Sequence, residues 1–333
     1  MITKKELIVK NNDNFKSCHA SNVCYLSNGT IMVVWFAGSK EGAADISIWG
    51  AIRKDETWSE PKIIANENEV AHWNPVLFQK DNKELVLFYK VGDTIATWKT
   101  MVKYSNDCGE TWSNERELVP GDVGGRGPVR NKVIQLSNGR ILAAASSEDS
   151  TWRSFADISD DNGFTWKKSN DIYANLNENR ETSKNMHEIP VSEQSYIGRG
   201  VIQPTIWGDD KGVHMLMRSS EGYLYRSDSI DNGEVFCPAY KTNIPNNNSG
   251  IDVIRHNDNN LYLVYNPVGI NWGKRSPLCL ACSKDNGVTF TDILVLEDGE
   301  GEFSYPSIIS VEGVLYLTYT FDRKNIAFWR IDL

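Results

Sequence analysis

A short polar motif that recurs along the chain limits most strongly what this sequence can fold into. Its clearest copies, of the form S-x-D-x-G-x-T-W, are Ser105–Trp112 and Ser159–Trp166. Looser copies are Ser229–Phe236 and Ser283–Phe290, and a shortened copy is Lys54–Trp58. The closing aromatic residues lie at positions 58, 112, 166, 236 and 290, so three intervals are 54 residues and one is 70. A fixed period of this length indicates a repeat architecture.

The residue types of the motif are those of a hairpin turn. Asp and Ser side chains accept hydrogen bonds from nearby backbone N–H groups, and Gly supplies a positive φ. The closing aromatic residue suits a position between neighbouring sheets. The motif is therefore predicted to be structural and to lie away from any active site.

Each period also carries short β-type runs, most of them preceded by a turn. These runs are Ile31–Phe36, Glu84–Tyr89, Ile141–Ala145, Val213–Arg218, Leu261–Tyr265 and Val314–Tyr319. Four short strands in roughly 50 residues are typical of one propeller blade. The 333 residues divided by the 54-residue period give about six blades. We therefore expect an all-β fold, a six-bladed β-propeller in a single domain spanning residues 1–333, with a polar loop at Ser169–Arg199 near the cleft.

Charge and hydropathy exclude several classes of partner. The net charge is −9 and no basic run extends beyond Lys4 and Lys5, so neither nucleic acid nor an anionic membrane surface is an expected partner. The longest apolar run, Ile31–Ala37, has seven residues and is too short to cross a bilayer. Leu7–Val9 is too short for a signal peptide, so we expect a cytoplasmic protein unless a leader has been removed.

Cysteine and histidine patterns predict neither a metal site nor a cofactor. The six Cys residues are scattered, and the one C-x-x-C, Cys279–Cys282, has no second pair to complete a zinc site. Its two thiols fall on opposite faces of a predicted strand. We expect buried, reduced thiols.

The repeated turns on six β-repeats resemble those of the Asp-box (BNR-repeat) proteins, whose best-known enzymes are sialidases. Four further segments are similar to an atypical, sialidase-like bacterial branch of that superfamily. They are His19–Ser21, Trp35–Gly42, Trp73–Val76 and Ser304–Ile308. The resemblance covers nearly the whole chain and implies a six-bladed β-propeller that acts on carbohydrate.

The resemblance also implies the parts of an active site. In sialidases three Arg residues hold the carboxylate of the substrate, a Tyr is the nucleophile, a Glu activates it, and an Asp is the acid/base. Here the second and third Arg correspond to Arg218 and Arg275, and the nucleophile corresponds to Tyr305. The acid/base corresponds to Asp45, with Glu41 as the alternative in the same loop.

Two positions depart from the family pattern. His19 stands where the first Arg belongs, and Gln203 stands where the activating Glu belongs. Gln cannot take a proton. We expect His19 to substitute for the absent Arg, by donating to an anionic group or by moving a proton. Glu148, after the predicted strand of the third repeat, is a further candidate acid.

Other residues are candidates for substrate binding. Arg126, Arg130 and Lys132 lie in a glycine-rich segment that suits an acidic sugar. The polar candidates Asn74 and Tyr265 lie at strand ends. Aromatic candidates for stacking on a sugar are Trp35, Trp73, Trp152 and Trp272.

These residues together favour an exo-acting glycoside hydrolase that removes a terminal anionic or deoxy sugar from an oligosaccharide, without a metal or cofactor. Two alternatives stay open. One is a polysaccharide lyase, in which His19 or Tyr305 abstracts a proton from a uronate. The other is a non-catalytic carbohydrate-binding propeller, which the missing activating Glu favours.

Overall fold

The strands of the protein form six antiparallel sheets arranged as a ring. A computed structural model describes residues 2–10, 13–67, 69–176 and 180–333. The innermost strands of successive sheets contact one another around a central axis, and the last contacts the first. The prediction of a six-bladed β-propeller is therefore confirmed.

The first three blades follow the chain from the inside outward. The first strand of the chain is β1 (Ile2–Leu7), which joins the last blade. Blade 1 contains β2 (Ser17–Tyr25), β3 (Ile31–Gly38), β4 (Ser47–Lys54), β5 (Thr57–Trp58) and β6 (Lys62–Ala65). Blade 2 contains β7 (His72–Gln79), β8 (Leu85–Val91), β9 (Lys99–Ser105) and β10 (Arg116–Glu117). Blade 3 contains β11 (Val133–Gln135), β12 (Ile141–Ser147), β13 (Arg153–Ser159) and β14 (Lys167–Lys168).

The other three blades repeat this order, and the last one closes the ring. Blade 4 contains β15 (Val201–Asp209), β16 (Gly212–Ser219), β17 (Tyr223–Ser229) and β18 (Tyr240–Pro245). Blade 5 contains β19 (Asp252–Arg255), β20 (Leu261–Tyr265), β21 (Leu278–Ser283) and β22 (Thr291–Glu297). Blade 6 contains β23 (Phe303–Val311), β24 (Val314–Phe321) and β25 (Asn325–Asp332), with β1 as its outermost strand.

The apolar core lies between the blades, which explains why the second strand of each blade is apolar on both faces. In β3, Met32, Val34 and Phe36 pack against blade 2. The alternate residues Val33 and Trp35 pack against blade 6. Successive side chains of a strand point to opposite faces, so a strand between two neighbours reads as a continuous apolar run. Trp35 therefore belongs to this core and does not reach a cleft.

The repeated turn motif joins the third and fourth strands of blades 2 to 5. In blade 3 the Asp161 carboxylate accepts hydrogen bonds from Thr165 N at 2.8 Å and from Thr165 Oγ1 at 2.5 Å. The Ser159 hydroxyl oxygen accepts from Gly163 N at 2.8 Å, and Gly163 has a φ of 88°. These contacts are made within the turn itself, as the sequence predicts.

The polar insertion between blades 3 and 4 carries the α-helix α1 (Glu193–Ile197) and a 3₁₀ turn at Met186–Glu188. A second 3₁₀ turn lies at Ile95–Thr97 between β8 and β9. The Ser192 side chain caps α1 by accepting from Ser195 N at 3.3 Å. Residues 177–179 of the predicted loop lie outside the described residues.

The cysteine prediction is wrong in part. All six thiols are free, but Cys237 is exposed and Cys108 and Cys282 are half-buried. These three thiols lie in or beside the repeated turns, and such connections run over the surface of a protein. Within the described ranges, no group of three or more His, Cys, Asp or Glu is placed to hold a metal ion. The same ranges contain no helix long and apolar enough to cross a membrane.

Candidate active site

The same backbone irregularity begins the innermost strand of four blades. The strand pairing shifts at His19/Asn22, Trp73/Val76, Ile202/Thr205 and Ser304/Ser307. Each shift contains a non-glycine residue with positive φ: Ala20 at 54°, Asn74 at 44°, Gln203 at 50° and Tyr305 at 55°. A bulge of this kind inserts an unpaired residue and redirects its side chain. Three of the four side chains line one cavity.

That cavity has a volume of about 490 Å³ and lies at the end of the ring opposite the repeated turns. Antiparallel strands alternate in direction, so turns between third and fourth strands and loops between second and third strands lie at opposite ends. The lining residues are Lys40, Glu41, Gly42, Trp73, Asn74, Asp93, Thr94, Ile95, Trp98, Glu148, Trp152, Pro190, Val191, Ser192, Gln194, Ser195, Gln203, Arg218, Trp272 and Tyr305. The insertion thus forms part of the wall, as its length predicts.

A hydrogen-bonded chain crosses the floor of the cavity from blade 6 to blade 3. Arg218 Nη1 donates to Tyr305 Oη at 2.6 Å and to Gln203 Oε1 at 3.0 Å. Gln203 Nε2 in turn donates to Glu148 Oε1 at 3.1 Å. Arg218 Nε donates to Asn248 Oδ1 at 2.9 Å, which fixes the guanidinium plane. Residues far apart in sequence are therefore held in one rigid network.

Positive charge surrounds the ring of Tyr305. The guanidinium carbons of Arg130, Arg218 and Arg275 lie 5.4, 5.7 and 5.3 Å from the ring centroid. The His19 ring centroid lies 4.2 Å from the same point. All four side chains are almost fully buried. The structure thus brings together Arg218, Arg275 and Tyr305, and it also places Arg130 and His19 beside them.

Two carboxylates continue this cluster toward the rim of the cavity. Glu302 accepts from Arg275 Nη1 at 2.7 Å and from Arg323 Nε at 2.9 Å. Arg323 also donates through Nη1 to Glu41, which lines the cavity. Although burial opposes ionisation, the two guanidinium groups lower the pKa of Glu302 to about 2. Glu302 is therefore ionised at neutral pH and partly neutralises both arginines.

His19 does not replace the charge of the absent arginine. Burial, followed by the repulsion of four arginines led by Arg323, lowers the pKa of His19 well below its ordinary value. A neutral imidazole still offers one donor and one acceptor nitrogen. Neither ring nitrogen has a hydrogen-bond partner among the described residues.

Glu148 and Glu41 are the two predicted acids that reach the cavity. Burial raises the pKa of Glu148, while Arg218 and the Gln203 amide partly oppose the shift and Glu41 adds to it. A carboxyl group with a raised pKa keeps its proton closer to neutral pH, as a general acid requires.

Four predicted site residues lie away from the cavity, each held by a structural partner. The exposed Asp45 accepts from Ser39 N at 2.9 Å and from Ser39 Oγ at 2.8 Å, so it shapes its own loop. The other three are Arg126, paired with the buried Asp157 at 2.6 Å, Lys132, paired with Asp252 at 2.6 Å, and Tyr265, bonded to Asp292 at 3.0 Å. Each of these partners comes from another strand or blade.

Sequence reasoning missed Trp98, Asp93, Glu302 and Arg323. Trp98 and Asp93 lie in the loop between β8 and β9, and both line the cavity. The position of that loop, between the second and third strands of a blade, could have identified them. Glu302 and Arg323 lie in blade 6 and reach blades 1 and 5 through ion pairs that no local pattern shows.

Comparison with known proteins agrees with this architecture. The family model described as a BNR repeat-like domain matches residues 29–317, and the chain belongs to that family. No curated protein sequence matches the chain.

Several solved structures share the fold. A protein of unknown function from Dyadobacter fermentans is 17% identical with a TM-score of 0.74, covering 99% of both chains. Hadza microbial sialidase Hz136 is 14% identical with a TM-score of 0.75, covering 96% of this chain and 66% of that one. Trypanosoma rangeli sialidase in complex with the inhibitor DANA is 13% identical with a TM-score of 0.74. The present chain covers 59% of its length, and at these identities the likeness shows the fold alone.

Proposed function

We propose that the protein is an exo-acting glycoside hydrolase that removes a terminal sugar carrying an acidic group. The observation that carries the proposal is the contact between Tyr305 Oη and Arg218 Nη1 at 2.6 Å on the cavity floor. Glu148 lies in the same cavity, two hydrogen bonds further along. A nucleophile, a cation and an acid thus face one enclosed space.

The arrangement supports a two-step reaction. Tyr305 Oη attacks the anomeric carbon and its phenolic proton passes to water, while Glu148 donates its proton to the glycosidic oxygen and the bond between the anomeric carbon and that oxygen breaks. Water then attacks the anomeric carbon and gives a proton to the Glu148 carboxylate, while the bond between the anomeric carbon and the Tyr305 oxygen breaks and that oxygen takes back a proton from water. Arg218 donates to the phenolic oxygen, which stabilises negative charge on it. The buried arginines favour a sugar with a carboxylate near the reacting carbon.

Four tryptophans line the cavity, namely Trp73, Trp98, Trp152 and Trp272. The Trp73 and Trp98 rings meet edge to face at 6.1 Å. Flat apolar faces of this kind stack on sugar rings. Because Gln203 replaces a proton-accepting Glu, these faces also support the second candidate, a propeller that binds acidic carbohydrate without cleaving it.

A panel of aryl glycosides tests the proposal. The panel contains glycosides of sialic acid, a Kdo-like sugar, rhamnose and a uronic acid. Release of the phenol from an acidic member supports hydrolysis. An unsaturated product that absorbs in the ultraviolet, formed from a 4-linked oligouronide in which O4 carries the leaving group, indicates a lyase instead. Saturable sugar binding without turnover on any member favours the binding protein and contradicts the hydrolase.

A further inference from the structure

Arg323 reaches the space next to the missing arginine from a different blade. It lies in the turn between β24 and β25, and its carbonyl oxygen accepts a hydrogen bond from Cys18 N at 2.7 Å. Cys18 precedes His19, the residue that stands in the place of the first arginine. The side chain of Arg323 therefore enters the cluster beside blade 1, although its backbone belongs to blade 6.

The guanidinium of Arg323 is only partly used by the protein. Nε donates to Glu302, which Arg275 shares, and Nη1 donates to one oxygen of Glu41. Nη2 is buried and has no hydrogen-bond partner among the described residues. The edge formed by Nη1 and Nη2 therefore carries a single contact, where a carboxylate can make two parallel ones.

Glu41 is the cavity-lining group that contacts this edge. It lines the cavity, whereas its loop partner Asp45 is exposed and bonded to Ser39. Glu302 is held on its far side by Arg275 and by Ser304 Oγ at 2.9 Å, so it is fixed in place. An anion that approaches Arg323 from the cavity must therefore replace Glu41 and not Glu302.

We propose that Arg323 is an anion-binding residue of this site and that Glu41 occupies its binding edge in the free protein, to be displaced by the acidic group of a bound sugar. The inference rests on the proposed function, because it assumes a sugar with such a group. A bidentate carboxylate on Nη1 and Nη2 replaces a one-oxygen contact with a two-oxygen contact, which favours the exchange. Displacement also leaves the Glu41 carboxylate free within the cavity.

Replacing Glu41 tests the exchange. If Glu41 competes with the sugar acid for Arg323, its loss should raise the affinity for the acid, whereas if Glu41 holds Arg323 in place, its loss should lower that affinity. Glu41→Gln removes the competing charge, so the affinity for free N-acetylneuraminic acid or D-glucuronic acid should rise at least about fivefold. The methyl esters of both sugars, which carry no charge, should bind Glu41→Gln and wild type alike. Titration calorimetry measures all four ligands.

Three further variants complete the test. Asp93→Asn removes the same charge from the cavity lining, and no hydrogen bond joins Asp93 to Arg323 in the described residues, so the gain should be smaller. Arg323→Gln should lose the preference for the acid over its ester, and Arg323→Lys should restore part of it, with circular dichroism reporting the fold of each.

The inference is overturned if Glu41→Gln binds the free sugar acids with unchanged or lower affinity. It is also overturned if none of the variants binds them. A gain equal to that of Asp93→Asn also overturns it, since charge alone would then explain the effect. The proposed function is tested by a different measurement and fails if no glycoside of the panel is turned over. The binding of free sugars can be measured in either case, so the two failures are distinguishable.

Discussion

Tyr305 lies on the floor of the cavity, where its hydroxyl oxygen accepts from Arg218 and its ring lies beside guanidinium groups and the imidazole of His19. The ring contacts and the hydroxyl contact are separate, because the ring also joins an apolar cluster formed mainly by blades 1 and 2. Removing the Tyr305 hydroxyl oxygen therefore tests its role in the reaction while the packing of the ring is kept.

Tyr305→Phe should lower turnover at least about 100-fold and leave the melting temperature near that of the wild type. The ring contacts remain, and Arg218 Nη1 keeps its bond to Gln203. Steady-state kinetics and thermal melts measure the two effects. The matched control is Tyr262→Phe, which removes a buried hydroxyl bonded to Asp258 in blade 5 and should keep its turnover. Equal turnover in both variants would exclude Tyr305 as the nucleophile.

Glu148 gives a prediction about pH. Its pKa is raised by burial, so it stays protonated to a higher pH than an exposed Glu, and turnover should fall as pH rises through that value. Glu148→Gln keeps the oxygen that accepts from Gln203 but cannot donate a proton. The variant should lose the alkaline limb and slow most on glycosides with poor leaving groups. An unchanged pH profile would assign that limb to another residue.

The inner-strand bulge is the element that turns a repeat fold into a site. One irregularity at the start of the innermost strand places Asn74, Gln203 and Tyr305 on the same cavity from three blades. In each case proline follows, and proline offers no N–H to the strand ladder. These blades share the same backbone bulge but carry different side chains at it. The chemical group that faces the cavity therefore differs from blade to blade while the sheets stay the same.

The repeated turn acts at the opposite end and should influence stability alone. Ser159→Ala removes the oxygen that accepts from Gly163 N and the donor to Asp161 Oδ1 at 2.9 Å. Because Ser159 is buried, the free energy of unfolding should fall by about 1 kcal/mol. Urea unfolding measures the loss, and turnover should stay at the wild-type value. A fall in turnover in the folded variant would contradict the separation of the two ends.

The sequence predicts features that are set by contacts between residues close together in the chain. It does not predict features that are set by contacts between distant residues. Runs such as Ile31–Phe36 and turns such as Ser159–Trp166 are determined locally, by burial on both faces and by side-chain bonds to nearby amides. Glu41 and Asp45 share one loop, and only the distant Arg323 distinguishes the cavity-lining carboxylate from the one that binds Ser39. Arg126 likewise looks like a free cation in sequence until blade 3 supplies Asp157.

At the scale of the whole molecule, β1 holds the ring closed through backbone pairing, hydrogen bonds and ion pairs more than through apolar burial. Its side chains are mostly exposed, but its backbone pairs with β25 of blade 6. Glu6 accepts from Arg53 Nη2 at 2.9 Å and from Trp58 Nε1 at 2.8 Å in blade 1. Lys5 forms an ion pair with Glu297 of blade 5. One strand therefore joins three blades at the point where the chain ends meet.

Glu6→Gln should reveal the contribution of Glu6 to this closure, as a difference in stability from the wild type that depends on pH. Burial opposes its ionisation, but the hydrogen bonds from Arg53, Lys4 and Trp58 lower the pKa of Glu6 to about 2, from an ordinary 4.5. A depressed pKa stabilises the fold above the unfolded value, and this stability is lost as pH falls toward the folded value. The wild type should therefore be more stable than Glu6→Gln at pH 7, with the difference shrinking from about pH 4.5 to about pH 2.

Thermal or urea unfolding across that pH range measures the difference. Glu56→Gln is the matched control, because Glu56 also links blade 1 to β1, through Lys4 at 3.3 Å, but both of these side chains are exposed. Its stability should track the wild type at every pH, since exposed ion pairs contribute little. A constant difference between Glu6→Gln and wild type would show that Glu6 acts by shape and not by charge. The ring would then be closed by strand pairing without an electrostatic contribution.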